Sequence, residues 1–427
     1  MESGFLQVPR KAAYKILLKD FKCRKKQSGA PLAFCHLPSD KAYVTEIVNE
    51  IKRWQKLLDY MIEKVSLRKK RFIKPDILIA LRLGFYFLLL DVQMPDYAAV
   101  DESVSLLSDK KAKGFINAVL RKYIRLKGNY EFPEGNTVKD IAITYSHPEW
   151  FVSYVVDAFR KDKALSIFEA NNSVPPVWLR LNSLKIKREE FEGRLREMGV
   201  EFERDSEFDF LYQTSHIREL LLSPLFKEGA FYVQDKTTVL PCAFLSKFSG
   251  NKVLDVCSAP GGKATLISQL GNNKVKVTCI DKTKRKTDLI RENVKRLSVK
   301  NIDVVECDFL KRCDKISNKE FSRVMLDVPC SNTGVWRRRP DARWLFTRDR
   351  LNSIAKIQKK MLEKAFSFLS KNGILVYSTC SILDVENKNI VEDFLYRNAD
   401  ARLITEKLTI QEKKGADGGY FAAIRRS

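Results

Sequence analysis

Apolar positions in the first third of the chain recur at helical spacing, which predicts helices over Arg10–Phe21, Lys41–Val65, Pro75–Leu90, Val100–Leu107 and Ala112–Leu126. The basic cluster RKKRFIK, Arg68–Lys74, falls between two of them. A stretch rich in turn residues, Lys127–Asn136, then interrupts the pattern. From His147 to about Phe244 the spacing is mixed: Pro176–Lys185 and Gly229–Asp235 are strand-like and Arg188–Gly199 is helical, as in a small α+β module. Beyond Asn251 short apolar runs end in polar residues and alternate with helical stretches. These runs are KVLDVC (Lys252–Cys257), VKVTCID (Val275–Asp281), IDVVECD (Ile302–Asp308), RVMLDVPC (Arg323–Cys330) and GILVYSTC (Gly373–Cys380). Strands separated by helices in this way predict an α/β domain with a doubly wound, mostly parallel sheet, which binds ligands at the carboxyl ends of its strands. The expected organisation is an all-helical domain over 1–140, the α+β module over 141–245 and the α/β domain over 246–427.

Composition narrows the function classes. The most apolar run, Ile77–Asp91, contains Arg82 and is shorter than the roughly 20 residues of a membrane span, so it reads as a buried helix. The start MESGFLQVPRK has no apolar signal segment, and the nine cysteines show no close C-x-x-C pairing, which together point to a reducing cytoplasmic setting. The histidines His36, His147 and His216 lie far apart, without metal-ligand spacing, so no metal is expected. The net charge of +24, from 77 basic and 53 acidic residues, favours a polyanionic partner, nucleic acid first, over a surface merely kept soluble by lysines.

The first strand of the α/β domain leads into DVCSAPGGKATLISQL, Asp255–Leu270, a turn of small residues followed by a helix. Gly261 and Gly262 permit close approach of a ligand to the backbone, and the helix amides favour an electron-rich group. The turn is neither a G-x-G-x-x-G fingerprint nor a phosphate-cradling Walker loop. Asp281 ends the second strand, where a carboxylate can accept both hydroxyls of a ribose, and Asp308 ends the third, where it or its neighbours can meet an adenine edge. An adenosine carrying a sulfonium, S-adenosylmethionine, suits this set better than a nucleotide.

The fourth and fifth strands end in DVPCSNTG and YSTCS, so Asp327, Cys330 and Cys380 are expected at the same mouth of the sheet as the cofactor turn. Cys257, Cys279 and Cys307 also lie near strand ends, where packing is the simpler role for a free cysteine. A thiolate beside a methyl donor can add to C6 of a pyrimidine and turn C5 into a nucleophile, a covalent route that divides one hard step into easier ones. Asp327 can hydrogen-bond the amino and ring-nitrogen edge of cytosine, and Lys263 can help place the base or the acid, or be an ordinary surface lysine of a first helical turn. The base must be unstacked to reach such a pocket. WRRRPDARW, Trp336–Trp344, mixes arginine and tryptophan as phosphate contact and base stacking require.

Together, DVCSAPGGKATL, DVPCSNTG, RRRPDARW, YSTCSILDVEN and the closing DGGYFAAIRR resemble the RNA cytosine-C5 methyltransferases. KGFINAVLRKY (Lys113–Tyr123), with HPEWFV and LRLNSLK following, is similar to the subfamily that carries a NusB-like helical RNA-binding domain and acts on small-subunit (16S) ribosomal RNA. The resemblance implies a Rossmann-like S-adenosylmethionine methyltransferase domain preceded by an all-α NusB-like domain and the small α+β module. It implies Cys380 as nucleophile, Cys330 as the residue assisting release, and cofactor contacts from Cys257, Ser258, Ala259, Pro260, Gly261, Gly262, Lys263, Asp281, Asp308 and Asp327. The PC loop departs from the family at Asn332, where glycine is usual, though asparagine tolerates the left-handed backbone; Phe21–Tyr43 matches the helical domain only loosely. The expected partner is RNA, free or in an assembling small subunit, with no membrane and a monomeric enzyme. Transfer RNA as substrate, and a basic RNA-binding assembly factor without catalysis, are the alternatives.

Overall fold

A computed structural model describes residues 3–23, 38–91, 93–126, 130, 132–135, 137–311, 313–316 and 320–427. Most of Phe21–Tyr43 and part of the Lys127–Asn136 loop therefore lie outside the described residues. The chain divides into two compact units, one of residues 1–172 with 336–345, the other of 173–335 with 346–427. The division after Asn172, rather than Asp140, arises because Val138–Thr144 and Glu149–Asn172 are helices that belong to the first unit.

In the first unit the expected helices appear as Ser3–Cys23, Pro75–Leu89, Asp96–Ser105 and Lys110–Arg125, while the expected Lys41–Val65 helix is two, Pro38–Arg53 and Gln55–Ser66. The break is local, at Trp54 (φ −97°, ψ 11°), so the apolar spacing runs through it unchanged. Pro75 begins its helix at the first turn, where no amide hydrogen is needed, and Asp109 caps the last helix of this set by accepting from the Ala112 N–H at 2.9 Å. Arg82, the charge inside the most apolar run, is buried against Asp59, its Nε 2.7 Å from Oδ1 and a terminal nitrogen 2.9 Å from Oδ2. Paired and bidentate, it is tolerated where a lone guanidinium would be costly. Among the described residues, no helix is long and apolar enough to cross a membrane.

The segment Trp336–Leu345 corrects the expectation of an RNA-stacking surface. Trp336, Arg337 and Arg343 are fully buried in this first unit. The Trp336 ring lies 4.3 Å from Phe151, and Arg343 donates to the carbonyls of Arg53, Ser146 and Asn171 and to Asn172 Oδ1 at 2.8–3.1 Å. Burial, with Arg53 nearby, pulls the Arg343 guanidinium well below its usual range. Trp336 and Arg343 thus serve as a packed plug, with oxygen atoms of the protein satisfying the Arg343 guanidinium, while Arg338 is half-buried and Arg339 exposed.

The second unit holds two sheets. Strands β1 (Val177–Leu181), β2 (Glu203–Arg204), β3 (Leu211–Thr214) and β4 (Phe231–Val233) form an antiparallel sheet in the order β2-β3-β1-β4, with the helix Arg188–Glu197 contributing Phe191 and Leu195 to its core. The larger sheet contains β5 (Lys252–Val256), β6 (Lys276–Asp281), β7 (Ile302–Glu306), β8 (Phe321–Asp327), β9 (Leu369–Thr379), β10 (Ala401–Thr409) and β11 (Gly419–Arg426). Their order is β10-β11-β9-β8-β5-β6-β7, parallel from β9 to β7 and antiparallel at β11 and β10. Val253 and Leu254, neighbours on β5, enter separate hydrophobic clusters on opposite faces of the sheet. Both faces are covered, which is why the runs are apolar without alternation.

Candidate active site

The parallel register brings the carboxyl ends of β6, β5, β8 and β9 side by side, with Asp327 of β8 opposite Ser378 of β9. After β5 the chain turns through Cys257 (φ 59°), Ser258, Ala259 and Pro260, the last two joined by a cis peptide, to Gly261 (φ 98°) at the start of the helix Gly262–Leu270. Gly261 needs its glycine for this left-handed backbone. A Cβ on Gly262 would stand 2.9 Å from the Tyr232 ring. Arg180 of β1 is buried beneath the turn and donates to the Gly262 carbonyl at 2.7 Å and to Thr265 Oγ1 at 3.0 Å, so the α+β module braces the glycine turn directly.

Three carboxylates, Asp281, Asp327 and Asp255, lie at or beside the turn among the described residues, and Asp308 follows the next strand along the rim. Asp281 is buried; its Oδ2 accepts from the Ala259 N–H at 3.0 Å and its Oδ1 meets Lys286 at 2.9 Å. Lys286 is half exposed. Asp308 pairs with Lys282 at 3.0 Å, which holds its carboxyl below the usual range, and it follows Cys307, whose N–H donates to the Asp281 carbonyl. Asp327 accepts from Lys263 Nζ at 2.7 Å and from Ser378 Oγ at 2.8 Å. Asp255 is fully buried and accepts from Ser258 Oγ at 2.6 Å, while its Oδ1 has no hydrogen-bond partner among the described residues. Burial, with Asp327 and Asp281 nearby, pushes its carboxyl up to about 7. A turn open to backbone approach, ringed by carboxylates, fits the adenosine and the cationic groups of S-adenosylmethionine.

Cys330 and Cys380 meet. Their side chains lie within interaction range, and this interaction together with burial pushes the Cys330 thiol well above its ordinary value. Cys380 is half-buried and within electrostatic reach of Lys263. Burial alone would lower the Lys263 ammonium, but Asp327 and the Cys380 and Cys242 thiols raise it, so it stays charged. Asn332 takes the left-handed conformation (φ 60°) and donates to the Cys330 carbonyl at 3.1 Å, so the turn survives without glycine. The Gly334 N–H donates to the Cys380 carbonyl at 3.0 Å, and the Gly418 N–H to the Gly334 carbonyl at 2.9 Å, lacing three loops together.

Lys263, Asp327, Cys330 and Cys380 are thus gathered at one strand-end cluster with the Cys257–Gly262 turn and Asp281, while Asp308 stands one step farther along the rim. Cys279 is buried in the core, and Cys257 is half-buried with its thiol pushed up to about 12 by burial and by Asp281. Sequence reasoning passed over Asp255, Arg180 and Glu386. Glu386 is fully buried and accepts from the Ser331 N–H at 2.8 Å, from the Ser331 hydroxyl, from Ser381 Oγ at 2.5 Å and from Gln358 Nε2 at 3.1 Å. The available signal was its place in YSTCSILDVEN, six residues after Cys380.

Comparison with known proteins places these residues in context. Residues 242–424 match the family described as 16S rRNA methyltransferase RsmB/F, residues 11–125 match the NusB family, and residues 147–209 match the ferredoxin-like domain of RsmF/B-like methyltransferases. The chain is 32% identical to the ribosomal RNA small subunit methyltransferase B of Pasteurella multocida, over 88% of this chain and 85% of that one. It is also 32% identical to the probable ribosomal RNA small subunit methyltransferase B of Bacillus subtilis, over 84% and 81% of the two chains. A crystal structure of a methyltransferase homolog protein from Pyrococcus horikoshii shares the fold at TM-score 0.61 and 24% identity, covering 68% of this chain and 99% of its own. The solved protein PH0851 does so at TM-score 0.81 and 22% identity, over 98% and 99%.

Proposed function

The chain belongs to the 16S rRNA methyltransferase RsmB/F family, and within that RNA-methylating activity we propose that it methylates C5 of a cytosine in small-subunit ribosomal RNA through a covalent bond from Cys380. The observation that carries this reading is the contact between Cys380 and Cys330 beside the Lys263–Asp327 pair at the glycine turn. S-adenosylmethionine, when bound, supplies a methyl group activated on a sulfonium. Gly261, Gly262 and the helix that follows admit it to the backbone, Asp281 takes the ribose hydroxyls and Asp308 lies toward the adenine edge.

Asp327 holds the amino edge of the cytosine, which separates it from uracil. Cys380, within electrostatic reach of the Lys263 ammonium, adds to C6 and forms the S–C6 bond. The electron pair moved onto C5 takes the methyl group. A base, water or a side chain at the site, then takes the C5 proton, the C5–C6 double bond re-forms as the S–C6 bond breaks and expels the Cys380 thiolate, and Cys330, beside Cys380, assists that release. Both cysteines have distinct tests. Cys380→Ala is expected to abolish methylation, whereas Cys330→Ala stalls the enzyme as a protein–RNA adduct that migrates as a shifted band on a denaturing gel. Methylation retained by Cys380→Ala overturns the mechanism. Bisulfite sequencing of RNA from cells lacking the protein identifies the substrate: a protected cytosine lost from 16S rRNA supports the reading, and one lost from transfer RNA moves it to that substrate.

A further inference from the structure

Cys330 and Cys380 come from loops far apart in the chain, yet the proposed chemistry needs their thiols at one fixed separation. Backbone lacing through Gly334 joins the loops farther on, but the residues directly after the cysteines, Ser331 and Ser381, are held by something else. Glu386 Oε2 accepts from both serine hydroxyls, and its Oε1 accepts from the Ser331 N–H and from Gln358 Nε2, which also donates to the Pro329 carbonyl just before Cys330. Its neighbour Asn387 adds to the same grip: its Oδ1 accepts from Thr379 Oγ1 at 2.6 Å and its Nδ2 donates to the Ser381 carbonyl at 2.9 Å. Tyr377 anchors the turn below by donating to the Glu386 carbonyl at 2.6 Å.

A fully buried carboxylate whose partners among the described residues include no cation is costly unless donors surround it. A carboxylate only accepts, so these donors must all point inward and the two serines cannot drift apart without exposing the charge. We propose that Glu386 is a positioning residue that sets the separation of the two thiols, gripping with one carboxylate the residue that follows each cysteine. The proposal rests on Cys330 and Cys380 acting together as described above. The same charge adds to the effects of Cys380 contact and burial in keeping the Cys330 thiol protonated.

Diamide oxidation of the full chain, without RNA or S-adenosylmethionine, measures thiol proximity directly, each disulfide forming as diamide takes up two electrons and two protons. Cys307 and Cys313, whose side chains also lie within interaction range, serve as an internal control remote from Glu386 in sequence. Peptide mass spectrometry is expected to show the Cys330–Cys380 disulfide forming at least ten-fold more slowly in Glu386→Ala than in the parent, with the Cys307–Cys313 rate unchanged. Should the alanine variant fail to fold, Glu386→Asp, one methylene too short to reach both serines, is expected to show the same selective slowing. In methylation assays the variant that folds is expected to lose kcat at least ten-fold with KM for RNA within about three-fold, while Glu386→Gln, whose amide the reversed serine hydroxyls can accept from, restores most of the rate. Equal slowing of both disulfides, or an unchanged Cys330–Cys380 rate, overturns the positioning role. Failure of the Cys380 mechanism itself would appear only in the RNA assay and leave the disulfide rates as predicted.

Discussion

Asp255→Asn isolates a fully buried acid at the site that, among the described residues, has no cation in contact. In the native state burial pushes this carboxyl up to about 7, and Asp327 and Asp281 add to the shift. An unfolded aspartate titrates near 3.9, so between these values the native state holds a proton that the unfolded chain has released. Stability is therefore fully present below the ordinary aspartate value, declines as pH rises toward about 7, and levels off above it. The whole interval corresponds to roughly 4 kcal/mol, of which about 3 kcal/mol falls between pH 5 and pH 8. Asparagine keeps an acceptor for Ser258 and never ionises; the cost of placing its amide where Oδ1 has no partner is the same at both pH values and cancels from the comparison. Urea unfolding at pH 5 and pH 8, read by pulsed hydrogen exchange on peptides covering β5, is expected to show the parent losing about 3 kcal/mol relative to Asp255→Asn as pH rises. A constant offset between the two proteins at both pH values would refute the buried, proton-holding state of Asp255.

Three further substitutions probe separate parts of the molecule. Asp281→Ala removes a carboxylate that meets both the turn amide and Lys286, and is expected to raise KM for S-adenosylmethionine by about 10- to 100-fold with a smaller effect on kcat, measured in steady-state methylation assays. Lys263→Met leaves Asp327 without its cation and removes the ammonium within electrostatic reach of Cys380; rapid-quench trapping of the RNA adduct is expected to show addition slowed by about 10- to 100-fold. Arg343→Met deprives three buried acceptors and the partly buried Asn172 in the helical unit of their donor and is expected to destabilise that unit by about 3–5 kcal/mol, seen as a lowered calorimetric midpoint.

The five apolar runs of the α/β domain were legible because strands covered on both faces need continuous apolar sequence, and each became a strand close to its expected place. The same logic placed Asp281, Asp327, Cys330 and Cys380 at one edge, since parallel strands deliver their carboxyl ends to the same side. Trp336–Trp344 misled for a physical reason: arginine and tryptophan suit RNA and a buried plug equally, and the difference lies in whether carbonyls such as those of Arg53 and Ser146 are waiting to accept. The helical spacing across Trp54 was similarly silent, because a break confined to one residue leaves the apolar face in phase on either side.

What the chain determined by itself, then, was its strand order of chemistry: which loops end in cysteine, which in aspartate, and where glycine opens the backbone. Only the tertiary structure decided how those groups act on one another. The approach of Cys330 to Cys380, the pairing of Lys263 with Asp327, the raised carboxyl of Asp255 and the grip of Glu386 on Ser331 and Ser381 all depend on distances between residues remote in sequence and on the exclusion of water around them. Residue type and spacing along a chain carry neither quantity, because burial and electrostatic strength are set by the packed surroundings.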